Sequence, residues 1–273
     1  MKIINPRNLP DVLVKAVTED VRIFDENRIS VTELIDSPLK RHLRSKHGSD
    51  LTVEVEDMTW KMIGKAFHLM MEKYATKGSI FEKKIEMQVD GTTIVGIPDL
   101  HCEGILYDFK VTSVYSFILG ENISWERQLN IYRLMLNSIG IETKEIKIIT
   151  VLKDFNMRKA SEEGYPKRPL IAVDIPMWTL DDTMKYIRER MDAHKNLQPC
   201  TEEERWTRPT TYAVKVKGIN KAKRVLSSHD EACAWLDNSN LKGAYIEKRE
   251  GEDSKCLRYC DYAKYCQYNR YNQ

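Results

Sequence analysis

From Met58 to Gly78 the apolar positions Trp60, Ile63, Phe67, Met71 and Tyr74 recur at three- and four-residue steps, the period of one helix face. Then the period changes. Phe81–Val89 alternates, Gly91 turns the chain, and Thr93–Leu100 and Ile105–Thr112 are strand-like runs separated by a Glu103-Gly104 turn. Helical spacing returns over Trp125–Asn137, and the β-branched run Glu145–Leu152 reads as a further strand. Helix, three strands, helix, strand is the order of an α/β sheet with helices packed on it. Ahead of it, Ser30 with Glu33 three residues on predicts a capping box opening a helix, and residues 40–47 give a short basic face. Trp60 and Trp125 read as core.

Past a polar loop at Asp154–Pro169, Ile171–Ile175 reads as a strand and Leu180–Leu197 as an amphipathic helix opened by Asp181 and Asp182. At Gln198-Pro199-Cys200 the texture changes. Thr211–Lys217 and Ala222–Ser227 alternate as two strands around Gly218, followed by a short helix at Asp230–Leu236 and a strand at Ala244–Arg249. The boundary divides residues 1–198, a core with an N-terminal helical segment, from a C-terminal module over residues 199–273. Tyr259, Tyr262, Tyr265, Tyr268 and Tyr271 repeat every third residue, which on a helix makes a slowly drifting packing stripe.

Composition narrows the class. The chain has 273 residues, 43 Lys+Arg against 41 Asp+Glu, and a net charge of +2, which excludes a polybasic arm or an acidic tail but leaves room for a local basic groove. Such a groove is sought first at Lys215, Lys217, Lys221, Lys223 and Arg224, either a solvated hairpin or a phosphate-contacting face. No apolar run approaches the roughly 18 residues of a membrane span, and the N-terminus lacks the order of a signal peptide. An intracellular chain off the membrane is expected, its cysteines to be read for metal before disulfides.

The most informative stretch runs from Gly96 to Lys110. It sets Asp99 near the end of one strand, Asp108 on the adjoining strand, and Lys110 two residues on, where strand period puts it on the face of Asp108. Two carboxylates from neighbouring strands make an oxygen-rich site for a hard divalent cation, and a lysine beside them can orient or activate a water. Upstream, His68 lies on the helix before the strands; downstream, Gln128 and Tyr132 share one face of the next helix at i and i+4.

Gly64-x3-His68, Pro98-Asp99, Asp108-Phe109-Lys110 and Gln128-x3-Tyr132, in that order, resemble the RecB-type branch of the PD-(D/E)XK nuclease superfamily. The resemblance implies a restriction-endonuclease-like α/β core, a mixed sheet flanked by helices, and a metal-dependent DNA nuclease. Its roles carry over as follows. Asp99 and Asp108 bind Mg²⁺ or Mn²⁺ with the Phe109 carbonyl as a backbone ligand, and His68 is the additional ligand. Lys110 positions the attacking water, and Gln128 and Tyr132 steady the lysine or the substrate phosphate. Glu86 matches a frequently acidic position on the first strand, with Glu82 also available. The rival reading is a DNA-binding or assembly module that keeps the fold without turnover.

Of six cysteines, Cys102 and Cys233 read as buried small hydrophobes. Cys256-x3-Cys260-x5-Cys266 needs a fourth thiolate, and Cys200 is the best placed to supply it. Spacing leaves zinc and an iron-sulfur cluster open. The resemblance favours a 4Fe-4S cluster, as in the AddB and CRISPR-associated RecB-like exonucleases, where three clustered cysteines join a distant one ahead of the core. Ser37 occupies that distant position here, so the role falls to Cys200. Those relatives also imply an exonuclease acting on single-stranded DNA or accessible ends, with a helicase or recombination partner supplying any unwinding.

Overall fold

The structure is a computed structural model that describes residues 2–18, 25, 27–119 and 123–272. It contains two compact units, Met1–Gln198 and Pro199–Gln273.

In the first unit the principal elements are, in chain order, β1 (Arg28–Ser30), α1 (Val31–Ile35), α2 (Pro38–His47), α3 (Thr59–Lys73), β2 (Ile80–Phe81), β3 (Ile85–Val89), β4 (Thr92–Gly96), β5 (Leu100–Cys102), β6 (Ile105–Thr112), α4 (Ile123–Ser138), β7 (Glu145–Leu152), β8 (Leu170–Asp174) and α5 (Leu180–Lys195). Five strands form a mixed sheet in the order β8-β7-β6-β5-β2, with β6 and β7 parallel and the other pairs antiparallel. Helix α4 makes the crossover between the parallel pair. A second sheet, β1-β4-β3, is mixed as well, parallel between β1 and β4.

The strands form where β-branched residues alternate. In β7 every second residue, Ile146, Ile148, Thr150 and Leu152, is buried. On β6 the two faces meet different helices. Leu106 and Asp108 turn toward α4, whereas Phe109 stacks its ring edge on Phe67 of α3. Helix α4 buries Leu129, Ile131, Leu134, Met135 and Leu136 and forms the centre of the core with Leu34, Ile94 and Ile148. The capping box at Ser30 and Glu33 is present, and the basic face at 40–47 is partly neutralised, Lys40 by Asp36 and Arg44 by Glu33.

Two expected strands are broken where the site lies. Phe81–Val89 is interrupted at Glu82, whose φ of 42° is left-handed, so Ile80–Phe81 and Ile85–Val89 join different sheets. Thr93–Leu100 is interrupted at Ile97-Pro98-Asp99, again between sheets, because Pro98 has no N–H to give a ladder. Trp60 is also not core: it is exposed, with the Lys153 ammonium 3.6 Å from its ring centroid.

In the second unit β9 (Thr211–Val216), β10 (Arg224–Leu226), α6 (His229–Asn238) and β11 (Ala244–Arg249) form a small antiparallel sheet, β10-β9-β11, with α6 on one face. A short antiparallel pair, Thr207–Arg208 with Glu252–Asp253, joins the chain entering this sheet to the chain leaving it. Beyond it, α7 (Ser254–Arg258) and a turn of 3₁₀-helix at Ala263–Tyr265 replace the continuous helix that the tyrosine spacing implied. Tyr262 is buried there, while Tyr259, Tyr268 and Tyr271 are exposed. Asp253 is a buried hub, accepting from the Thr207 hydroxyl at 2.6 Å and lying 3.1 Å from Arg270. No helix among the described residues is long and apolar enough to cross a membrane.

Candidate active site

Asp108 is buried in the middle of β6, and its Oδ2 faces Lys110 Nζ at 2.6 Å. A buried carboxylate needs a compensating charge or hydrogen bonds. It obtains both, since Gln128 Nε2 also donates to its Oδ1 at 3.2 Å. Lys110 Nζ donates to Gln128 Oε1 at 3.1 Å, and Gln128 Nε2 donates to Tyr132 Oη at 3.2 Å. Residues i and i+4 of α4 thus reach the charged pair of β6, as the helical and strand periods require.

Asp99 stands in the gap between β4 and β5, also buried, and its Oδ2 accepts from the Phe109 N–H at 2.7 Å. Its Oδ1 lies 3.7 Å from His68 Nδ1. Burial first, then the nearby Asp108 charge, pushes the Asp99 carboxyl up to about 7, against the opposing pull of His68, the Phe109 N–H and Lys110. A cation beside both carboxylates would relieve that repulsion, and their oxygens suit a hard divalent ion. Burial and the Asp108 charge likewise raise the Tyr132 phenol, which stays neutral and acts as a hydrogen-bonding group. The Phe109 ring packs between Phe67, His68 and Phe81.

Gly96 permits the close approach of α4. A Cβ there would sit 2.7 Å from Met135 Sδ and 3.1 Å from Tyr132 Cδ1.

His68, Asp99, Asp108, Lys110, Gln128 and Tyr132 therefore meet in one connected network. Of the two acids weighed for the first strand, Glu86 is engaged elsewhere, with Arg28 and Lys84. Glu82 belongs to the site: its Oε1 lies 3.0 Å from His68 Nδ1. Its signal in the sequence was faint, because only the backbone break at this residue turns its side chain toward His68. Asn130 went unread altogether. It is buried two residues after Gln128, on another side of α4, donates to Glu126 O and Pro176 O, and accepts from the Trp178 N–H at 2.8 Å, fixing the loop that precedes α5.

In the second unit, Cys256 on α7 is electrostatically coupled to Cys200, Cys260 and Cys266. Burial first, then the negative neighbours Asp253, Cys200, Cys260 and Cys266, pushes the Cys256 thiol up to about 11. Such mutual repulsion of thiolates is what a bound cation or cluster neutralises. Cys102 and Cys233 are half-buried and not enclosed as expected; Cys233 Sγ lies 3.6 Å from His229 Nδ1. Among the described residues, no three His, Cys, Asp or Glu side chains already stand in the arrangement of a metal site.

No protein-family model matches this chain, and no curated protein matches it. Among solved structures, the crystal structure of SSO0001 superposes with a TM-score of 0.52 at 18% identity, covering 72% of this chain and 88% of that one. An alkaline exonuclease, LHK-Exo from Laribacter hongkongensis, superposes with a TM-score of 0.34 at 7% identity, covering 63% of this chain and 92% of that one. The first likeness shows a shared fold, a mixed α/β arrangement whose sheets carry the residues above.

Proposed function

We propose that this chain is a metal-dependent deoxyribonuclease of the RecB type, acting as an exonuclease on single-stranded DNA or accessible ends. The observation that carries this reading is the joining of two buried carboxylates, Asp99 and Asp108, to Lys110 and Gln128 in one network. Asp99, Asp108, His68 and the Phe109 carbonyl would hold Mg²⁺ or Mn²⁺, which when bound supplies charge for the phosphate and lowers the pKa of a water. Lys110 is an ammonium in reach of Asp108 and held by the Gln128 carbonyl oxygen, so it can orient a water toward a phosphorus atom. Tyr132 and Gln128 keep that lysine from swinging, and Glu82 fixes the His68 ring.

For Cys200, Cys256, Cys260 and Cys266 we propose an iron-sulfur cluster, 4Fe-4S, supported by the crowding of four thiols around Cys256. Zinc is the alternative that the same donors suit.

The test is cleavage of end-labelled single- and double-stranded DNA with Mg²⁺, Mn²⁺ and EDTA. Asp108→Ala and Asp99→Ala should abolish metal-dependent cleavage; wild-type rates in either variant would refute the assignment. DNA binding by the wild type with no turnover under any metal would leave the binding-module reading.

A further inference from the structure

Trp60, Gly64 and His68 stand at i, i+4 and i+8 on α3, one above another along one side of the helix. His68 is the end of this ridge that enters the site, its Nδ1 3.7 Å from Asp99 Oδ1. Trp60 is the other end, about 12 Å away along the helix axis. It is 55% exposed although the Lys153 ammonium covers one face of its ring, so the exposure belongs to the opposite face and the edges. Among the described residues, Lys153 is in no ion pair.

Gly64 lies between the two ends, on the arc of α3 that carries Phe67 and His68 toward β6. Glycine is a poor helix former, and no packing demands one here: the residue is half-buried, yet a Cβ would meet nothing within 4 Å. The helix therefore stands off the sheet at this point. The sheet is unsealed on the same side. Val111, Val151 and Leu170 form one row on the face of Phe109, where the first two are only half-buried and Leu170 is 56% exposed. Lys153 continues that face two residues past Val151, and Leu170 lines a cleft of about 640 Å³ with Met157, Lys167, Arg168 and Pro169. Arg168 is likewise in no ion pair among the described residues.

An aromatic ring with a free face, unpaired cations and a stretch of helix bare of side chains fit a polymer that alternates phosphates with flat bases. The indole stacks a base, Lys153 meets a phosphate, and the bare backbone at Gly64 lets the strand run close to α3 on its way to His68. A protein segment seated here would cover Trp60 but gives no reason for a track without side chains that ends on His68. We propose that Trp60, Gly64 and Lys153 form a subsite for single-stranded DNA, seating the part of the strand that lies a short step from the scissile phosphate. This rests on the nuclease reading, which supplies that phosphate.

The experiment is titration of the full-length protein with a labelled oligothymidylate in EDTA, which prevents hydrolysis, read by anisotropy of the label and by tryptophan emission. Stacking on Trp60 should quench part of the emission, and Trp60→Phe should keep the affinity while removing that part of the quench. Trp60→Ala should weaken binding roughly 5- to 150-fold, the range of losing one stacked base. Lys153→Gln should lower the slope of log affinity against log salt by about 0.7, one lost phosphate contact. Gly64→Leu should weaken binding yet melt no lower than the wild type, a combination that a packing role for Gly64 does not produce. If leucine does lower the melting temperature, Gly64→Ala takes its place in the same comparison. Unchanged affinity in Trp60→Ala, or a quench that survives whole in Trp60→Phe, would overturn the proposal. Cleavage of end-labelled DNA in Mg²⁺ or Mn²⁺ is scored separately. A wild type that cleaves, with Trp60→Ala binding as tightly as it does, would overturn this subsite alone. A wild type that binds DNA through Trp60 yet cleaves under no metal would refute the nuclease reading and leave the strand-binding groove standing.

Discussion

Gln128 directs its amide oxygen at Lys110 and its two amide hydrogens at Asp108 and Tyr132, so every group it owns is in use. The pair it supports is lopsided: Asp108 is buried whereas Lys110 is a quarter exposed. Lys110→Ala would strand a buried carboxylate, at a cost of about 3 kcal/mol to the metal-free fold. It should also slow hydrolysis by about two to four orders of magnitude. The two effects separate in a thermal melt, where Mg²⁺ should restore much of the lost stability while the rate stays low. Asp99 gives the site a pH signature. Its carboxyl is raised from 3.8 to about 7, so its contribution to stability is full below pH 3.8 and is lost as pH rises through 7. The metal-free wild type should therefore melt lower at pH 8 than at pH 5, and Asp99→Asn should flatten that slope. An equal slope in both proteins would show that Asp99 is not the group responsible.

Between elements, the decisive contact is α4 against β4. With Met135 and Tyr132 already touching the Gly96 position, Gly96→Ala should cost about 1–3 kcal/mol by overpacking and displace Tyr132 from Gln128. Urea unfolding would measure the first effect, and a fall in activity beyond the stability loss the second. This contact was not legible in the sequence, because a glycine at a strand end reads as a turn whether or not a helix lies over it. What was legible follows from period alone. Alternation in β6 and β7 placed Asp108 and Lys110 on one face, and the i, i+4 step placed Gln128 with Tyr132. The breaks at Glu82 and at Ile97-Pro98-Asp99 escaped, since Phe81 shares its parity with Ile85, Met87 and Val89, and Ile94 with Leu100, while the backbone between them changes sheet. Glu82 and Asp99 owe their positions to those breaks, so the ladder-based reading could find the acid in Pro98-Asp99 but not its surroundings. The tyrosine repeat failed for the opposite reason: a three-residue period fits a helix, and this chain builds short turns around the cysteines instead.

At the scale of the whole chain, the two units carry different chemistry, carboxylates in Met1–Gln198 and thiols in Pro199–Gln273. If the four thiols hold a cluster, ligand loss should cost folding as well as metal. Cys200→Ser should lower iron content and open residues 199–273 to protease while residues 1–198 stay resistant. A protein that is colourless and carries zinc would replace the cluster with the alternative metal, and unchanged metal content in Cys200→Ser would remove that residue from the ligand set. The pairing of Thr207–Arg208 with Glu252–Asp253 has a consequence of its own. The chain leaves for the small sheet and returns through a neck only two residue pairs long, closed so tightly that a Cβ on Gly251 would lie 2.6 Å from Arg208 O. Everything beyond that neck is a detachable cassette: joining Arg208 to Glu252 through a two-residue Asn-Gly turn would make an ordinary hairpin. The thiols on either side would keep their spacing in three dimensions however long the excursion between them, so the length of the cassette can change without moving Cys200 relative to Cys256, Cys260 and Cys266.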